Sequence, residues 1–187
     1  MINLDKKILC HITKKLYPNS LMIRFVITPS NILTPDLYHE FDGEEFYVIA
    51  SKRTLEDLAL YYDEKCEKTF QKENIISNID KILSKRIISL IGLARKAGKV
   101  IIGYEKIQKS LSFNKIELLL QTKDGSKKRK KDLLLPKFQK SRIDCLNRKE
   151  LGTPFGRDSV TNVGFLKSSF TNPLIFDTSR LESLRYC

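Results

Sequence analysis

The sequence predicts an α/β protein built from two units, a small α+β unit followed by a three-layer α/β/α sandwich. Three observations carry this expectation. Short runs of branched and aromatic residues, such as Leu21–Thr28 and Ile116–Gln121, read as strands. They alternate with apolar stripes at three- and four-residue spacing, which read as helices. The charge also changes sign along the chain. Residues 1–75 carry 10 basic and 12 acidic side chains, whereas residues 76–187 carry 24 and 10, a net of −2 against +14. Such asymmetry predicts two units with different tasks. The polar stretch Lys65–Asn74 loses the helical period and is the expected linker, so the units are drawn at 1–74 and 77–187.

In the first unit, Leu9–Thr13 is a short strand candidate and Lys14–Ser20 a turn. Leu21–Thr28 and Glu45–Ala50 are strands, with Glu44 and Glu45 placed in the turn before the second and no partner for either. Ser51 is an N-cap for a helix running to Cys66, with Leu55, Leu58, Tyr62 and Cys66 on one face. The second unit is expected to open at Ser77 or Asn78 as N-cap. Ile79, Ile82, Leu83, Ile87, Leu90, Ile91 and Ala94 then form a long apolar stripe, and Gly98 stops the helix. A second helix starts after Gly103, with Ile107 and Leu111 inward. The strand Ile116–Gln121 leads to a basic run and a short helix ending before Pro136. Arg142–Leu146 and Val160–Leu166 are strands, with a helical turn at Lys149–Gly152 between them. Asn172 and Pro173 form an N-cap and first position for a last helix to Leu184.

Composition narrows the function classes. The 187 residues include 34 Lys plus Arg against 22 Asp plus Glu, a formal net charge of +12, which predicts attraction to polyanions. Cys10, Cys66, Cys145 and Cys187 are scattered, and the two histidines are His11 and His39, so no metal site is expected. Scattered thiols fit a reducing cytosol, and neither a signal peptide nor a membrane span is read from the sequence; the expectation is a cytoplasmic protein with no membrane partner. No cofactor is expected, because no phosphate-binding glycine loop of either common type is present. Cys10 and His11 are adjacent, and on a strand they point to opposite faces. The protein is therefore expected not to be an enzyme.

Three segments are candidates for function. In Leu93–Lys109, a helix ends at one glycine and another begins at the next, and a helix start offers free N–H groups to a phosphate or base edge. Arg95, Lys96, Lys99, Gly103, Tyr104, Glu105, Lys106 and Lys109 are its candidate contacts. On spacing alone, two ordinary helices joined by a glycine turn is the favoured reading. Lys123–Lys131 holds six basic residues, Lys123, Lys127, Lys128, Arg129, Lys130 and Lys131, together with Asp124; it is either a solvated run or a phosphate contact. Arg148–Asp158 holds Leu151 and Phe155 beside Gly152 and Gly156, flanked by Arg148 and Arg157; taken alone it reads as a turn with core residues, and as an exposed loop it would stack on unpaired bases.

Taken in order, LIGLARKAGKVIIGYEKIQKSL, LLLQTKDGS and RKELGTPFGRD resemble the kink-turn-binding superfamily of ribosomal protein L-seven-Ae over most of residues 85–170. That resemblance implies an α/β/α sandwich binding structured RNA at bent, bulged stems. It makes Gly103 the start of the RNA-contacting helix, Glu105, Lys106 and Lys109 its contact positions, Asp124 part of the loop after the strand, and Leu146–Arg148 the base-packing loop. The superfamily's helix usually opens Gly-x-Asn-Glu; Glu105 and Lys106 stand at those positions, and a carboxylate offers acceptors only. Pro154 falls inside the segment that continues as a helix in the superfamily, and shortens it. CHIT (Cys10–Thr13), LMIRFVITP (Leu21–Pro29), PDL (Pro35–Leu37) and GEEFYVIAS (Gly43–Ser51) resemble the YlxR family of small bacterial nucleic-acid-binding proteins. There Arg24, Lys52 and Arg53 are the remaining candidate contacts.

The expected function is binding of structured RNA, ribosomal or otherwise bent and bulged, in translation or RNA maturation in a bacterial cytoplasm. The alternatives are a protein-interaction or assembly module, with residues 1–74 docking a protein partner, and a DNA-binding regulator.

Overall fold

The structure, a computed structural model, describes residues 6–62, 72–126, 133 and 142–186. It is a mixed α/β protein, as the alternation of periods predicts. It divides into two compact units, one of Met1–Leu83 with Arg180–Cys187 and one of Ser84–Ser179.

The first unit opens with a hairpin of β1 (Lys7–Leu9) and β2 (Leu16–Pro18). The strand expected at Leu9–Thr13 is thus displaced. Cys10 donates to the Lys15 carbonyl at 2.9 Å and Lys14 to the Cys10 carbonyl at 3.0 Å, closing a turn over His11–Thr13 with Lys14 at φ 55°. Cys10 and His11 therefore lie at a turn rather than on a strand. The expected turn at Lys14–Ser20 holds β2 instead, where Pro18 is tolerated because this small sheet has only edges.

β3 (Met22–Ile27), β4 (Leu33–Pro35) and β5 (Glu44–Ile49) form an antiparallel sheet in the order β4-β3-β5. Met22, Ile23, Phe25 and Val26 are all buried, so β3 is covered on both faces. Arg24 interrupts that run and needs partners: it binds Asp36 and reaches Glu45 at 2.7 Å. Glu44 and Glu45 consequently begin a strand, and Glu45 is paired, contrary to the expected unpaired turn. α1 (Lys52–Tyr62) follows. The Ser51 hydroxyl accepts from the Thr54 amide at 3.3 Å, as expected of the cap. Leu55, Leu58 and Tyr62 are buried; Cys66 lies outside the described residues.

α2 (Lys72–Lys96) carries a buried stripe. Ile75, Ile79 and Leu83 belong to the first unit, and Ile87, Ile91 and Ala94 to the second. The expected start at Ser77 or Asn78 lies inside this helix, because Ile75 extends the stripe one turn earlier and leaves Ser77 on the outer side. The unit division likewise falls within α2 rather than at residues 74–77. Of the expected linker, 65–71 lies outside the described residues and Lys72 onward is helical. The helix ends as Gly98 predicts. Gly98, at φ 68°, donates to Arg95 at 3.0 Å, and Lys99 donates to Ala94 at 2.9 Å, which is the paired closure of a left-handed cap.

In the second unit, β6 (Val100–Ile102), β7 (Ile116–Gln121), β8 (Arg142–Ile143) and β9 (Asn162–Leu166) form a sheet in the order β6-β9-β7-β8. β7 and β8 are parallel, and the other pairs antiparallel. β8 is shorter than the expected Arg142–Leu146. α3 (Tyr104–Ser112) lays Ile107 and Leu111 against Ile116, Leu119 and Leu133 on one face. Burying two such aliphatic side chains contributes about 3–6 kcal/mol, enough to seat a helix this short. On the opposite face Leu118, Leu120, Val163 and Phe165 are also buried. α4 (Arg148–Gly152) passes into a 3-10 turn at Thr153–Phe155, where Pro154 ends the α-helical bonding. α5 (Thr171–Tyr186) starts one residue before the expected Asn172 cap, which puts Pro173 in the first turn, where a missing N–H costs nothing. The helix expected before Pro136 lies outside the described residues.

Candidate nucleic-acid interface

The register of the second unit's sheet collects three candidate segments at one end. Ile102 faces Val163, Gln121 faces Asn162, and Leu120 faces Ile143. The chain leaving β6 at Gly103, the loop after β7 at Thr122–Gly125 and the chain leaving β8 at Asp144 therefore emerge together. A polar layer lies beneath them. The Gln121 amide donates to Asn162 Oδ1 at 2.8 Å, and the Asn162 amide donates to Thr161 Oγ1 at 3.0 Å. Gln121 Oε1 and Thr122 Oγ1 are buried with no hydrogen-bond partner among the described residues.

α3 begins at Gly103, whose φ of 97° disfavours any side chain, and among the described residues no side chain caps this start. Its first-turn N–H groups border an open depression of about 430 Å³ lined by Ile102, Gly103, Tyr104, Glu105 and Lys106. Glu105 and Lys106 are exposed; Tyr104 is half-buried, its ring packed on the Ile107 cluster. Glu105 sits where the helix dipole favours an anion, so it competes with phosphate there. Lys109 is exposed one turn further on.

The two loops are tied to each other. The Lys123 amide donates to the Leu146 carbonyl at 3.0 Å. The Arg148 amide donates to Asp124 Oδ1 at 3.1 Å, and the Arg148 guanidinium donates to the Asp124 carbonyl. Asn147 and Glu150 cap α4 reciprocally, at 2.9 and 2.8 Å. The start of α4 is thus satisfied internally, unlike that of α3.

The remaining candidates separate. Leu151 is fully buried and Phe155 nearly so, which makes them core residues and removes them as base-stacking surfaces. Gly152 is buried as well: a Cβ there would lie 2.3 Å from the Arg157 carbonyl oxygen. Arg157 is exposed. Arg95 donates to the Pro154 carbonyl at 2.8 Å and stands 5.8 Å from the centre of the Phe155 ring, so it pins the 3-10 turn. Lys96 and Lys99 are exposed, but Lys99 precedes β6 and lies at the sheet end opposite Gly103. Lys127, Lys128, Arg129, Lys130 and Lys131 lie outside the described residues.

In the first unit, Lys52 and Arg53 are exposed at the start of α1. Arg24 is not available as a contact: it is enclosed by Asp36, Glu45 and the Phe41 carbonyl. Burial opposes the Asp36 charge, but amide donors from Glu40 and Phe41, and then Arg24, outweigh it and hold the carboxyl below its ordinary value. The cations that the sequence reading missed are Lys6, Lys7, Lys14 and Lys15, all exposed on the β1–β2 hairpin beside the exposed Leu9 and Leu16. The exposed Tyr61 ring lies edge-on to His11 at 5.9 Å, next to the same turn. A signal for this patch existed in the sequence: no acidic residue occurs from Lys6 through Pro35. The net charge of −2 concealed it by averaging over the acidic stretch Asp36–Asp57.

Among the described residues no group of His, Cys, Asp and Glu could hold a metal ion, and no helix is long and apolar enough to cross a membrane. No family model matches the sequence. No curated protein matches it. A solved structure described as a protein with unknown function from Bacillus halodurans C is similar over 49% of this chain and 96% of its own, at 25% identity and a TM-score of 0.40.

Proposed function

We propose that this chain binds structured RNA through its second unit, as a non-enzymatic RNA-binding protein of the L-seven-Ae kind carrying a YlxR-like unit before it. The observation that carries this reading is the convergence at one sheet end of the uncapped α3 start, the Lys123–Gly125 loop and the Asn147–Arg148 loop. In the sequence, Lys127–Lys131 follow directly after Ser126. Backbone donors and lysines there meet phosphate, while Glu105 and the half-buried Tyr104 make the surface more selective than a simple polycation. Recognition of a bent or bulged stem, and a place in translation or RNA maturation in the cytoplasm, follow from the family resemblance. The lysine-rich hairpin of the first unit supplies a second phosphate contact, with Tyr61 beside it as a surface for an unstacked base.

The test is binding of the full chain to a bulged RNA stem and to duplex DNA of the same length, between about 50 and 200 mM salt. RNA affinity falls steeply with salt. Changing Lys127–Lys131 to glutamine and alanine flattens that slope by about 0.7–0.9 per lost phosphate contact, and Lys6, Lys7, Lys14 and Lys15→Gln flattens it further. Equal affinity for the DNA duplex sinks the RNA-specific reading.

A further inference from the structure

We propose that Asp124 is an internal counter-ion of Arg148, occupying in the free protein the position that an RNA phosphate takes on binding. This rests on the RNA reading above and adds to it how one arginine of the site is held before RNA arrives. The amide and the guanidinium of Arg148 are both directed at one residue 24 positions away. Its amide donates to Asp124 Oδ1 at 3.1 Å, its guanidinium donates to the Asp124 main-chain carbonyl, and its Nε lies 3.6 Å from Asp124 Oδ2. The carbonyl contact orients the guanidinium, whereas the carboxylate contact is long. Charged N–H···O bonds close at about 2.7–2.9 Å, and a phosphate presents two oxygens to the planar fork at once. Both side chains are about half exposed, 46% and 50%, so a phosphate can reach the pair. The start of α4 is already capped by Asn147 and Glu150 and offers an incoming anion little else. Arg148 is therefore the group that attracts the phosphate, and Asp124 is what the phosphate displaces. Asp124 is then a positioning residue, and its charge lowers affinity for RNA.

The carboxylate's two roles are separable. Asp124→Asn keeps Oδ1 to accept from the Arg148 amide and keeps the main-chain carbonyl, but removes the charge. The expected result is about two- to fivefold tighter binding to the bulged stem, the worth of a half-exposed ion pair. In an Arg148→Ala background the same change has no effect. Unchanged or weaker binding by Asp124→Asn overturns the proposal, and so does a gain that persists without Arg148. If the parent chain binds no RNA at all, the RNA reading fails by itself. The counter-ion proposal is then decided by titrating inorganic pyrophosphate against the ¹⁵N-resolved Nε–H of Arg148. A response at lower pyrophosphate concentration in Asp124→Asn supports it, and identical titrations overturn it.

Discussion

Replacing Arg24 by methionine distinguishes a buried structural cation from a surface nucleic-acid contact. The Asp36 side chain is 1% exposed and that of Arg24 11%, so the change leaves a carboxylate in the interior without its cation. Removing one partner of a buried pair costs about 3–5 kcal/mol. Two donors stay with Asp36, the Glu40 amide at 3.0 Å and the Phe41 amide at 3.2 Å. They keep the charge partly solvated and place the loss near the lower end, about 3 kcal/mol. Glu45, 53% exposed in its side chain, adds little, because water screens it. Urea unfolding followed by far-ultraviolet circular dichroism reads the change as a fall in midpoint of about 1–3 M, for an m-value of about 1–3 kcal/mol/M. RNA affinity, measured where both proteins are folded, stays within about twofold of the parent, inside the effect of a lost surface ion pair. A stability change below about 1 kcal/mol together with a several-fold loss of RNA affinity would refute the reasoning and return Arg24 to the surface.

Two other expectations follow from the same geometry. The Asp36 carboxyl titrates below its unfolded value, so its contribution to stability is complete above about pH 4 and is lost as pH falls through the depressed folded-state value. Asp36→Asn is accordingly less stable than the parent at neutral pH, and the two unfolding curves converge as pH falls through the depressed folded-state value; curves that stay parallel throughout the acid range would contradict the assignment. Gly152→Ala sets a methyl 2.3 Å from the Arg157 carbonyl oxygen and 3.2 Å from the Ser159 amide, and breaks the Arg157 amide bond to the Gly152 carbonyl. It costs about 1–3 kcal/mol and speeds hydrogen exchange at the Gly156 and Arg157 amides, which native-state exchange measures directly.

What the sequence determined by itself was local. Periodicity placed the strand Ile116–Gln121 with its observed ends, because five of its six residues are buried and turn residues bound it. Ser51 and Gly98 marked their helix ends, since capping depends on a few neighbouring atoms. Gly103 was legible for the same reason. Tertiary structure decided which of the charged residues are available. Arg24, Arg95 and Arg148 look alike in the sequence, yet one bridges two carboxylates, one pins a turn and one is held by a residue 24 positions away. Partners at such separations leave no periodic trace. In the sequence Leu151 and Phe155 fit either a turn with core residues or an exposed stacking loop, and tertiary burial decided for the former. The convergence of the α3 start with the two loops was likewise invisible, since strand order β6-β9-β7-β8 brings together chain segments that only long-range pairing can join.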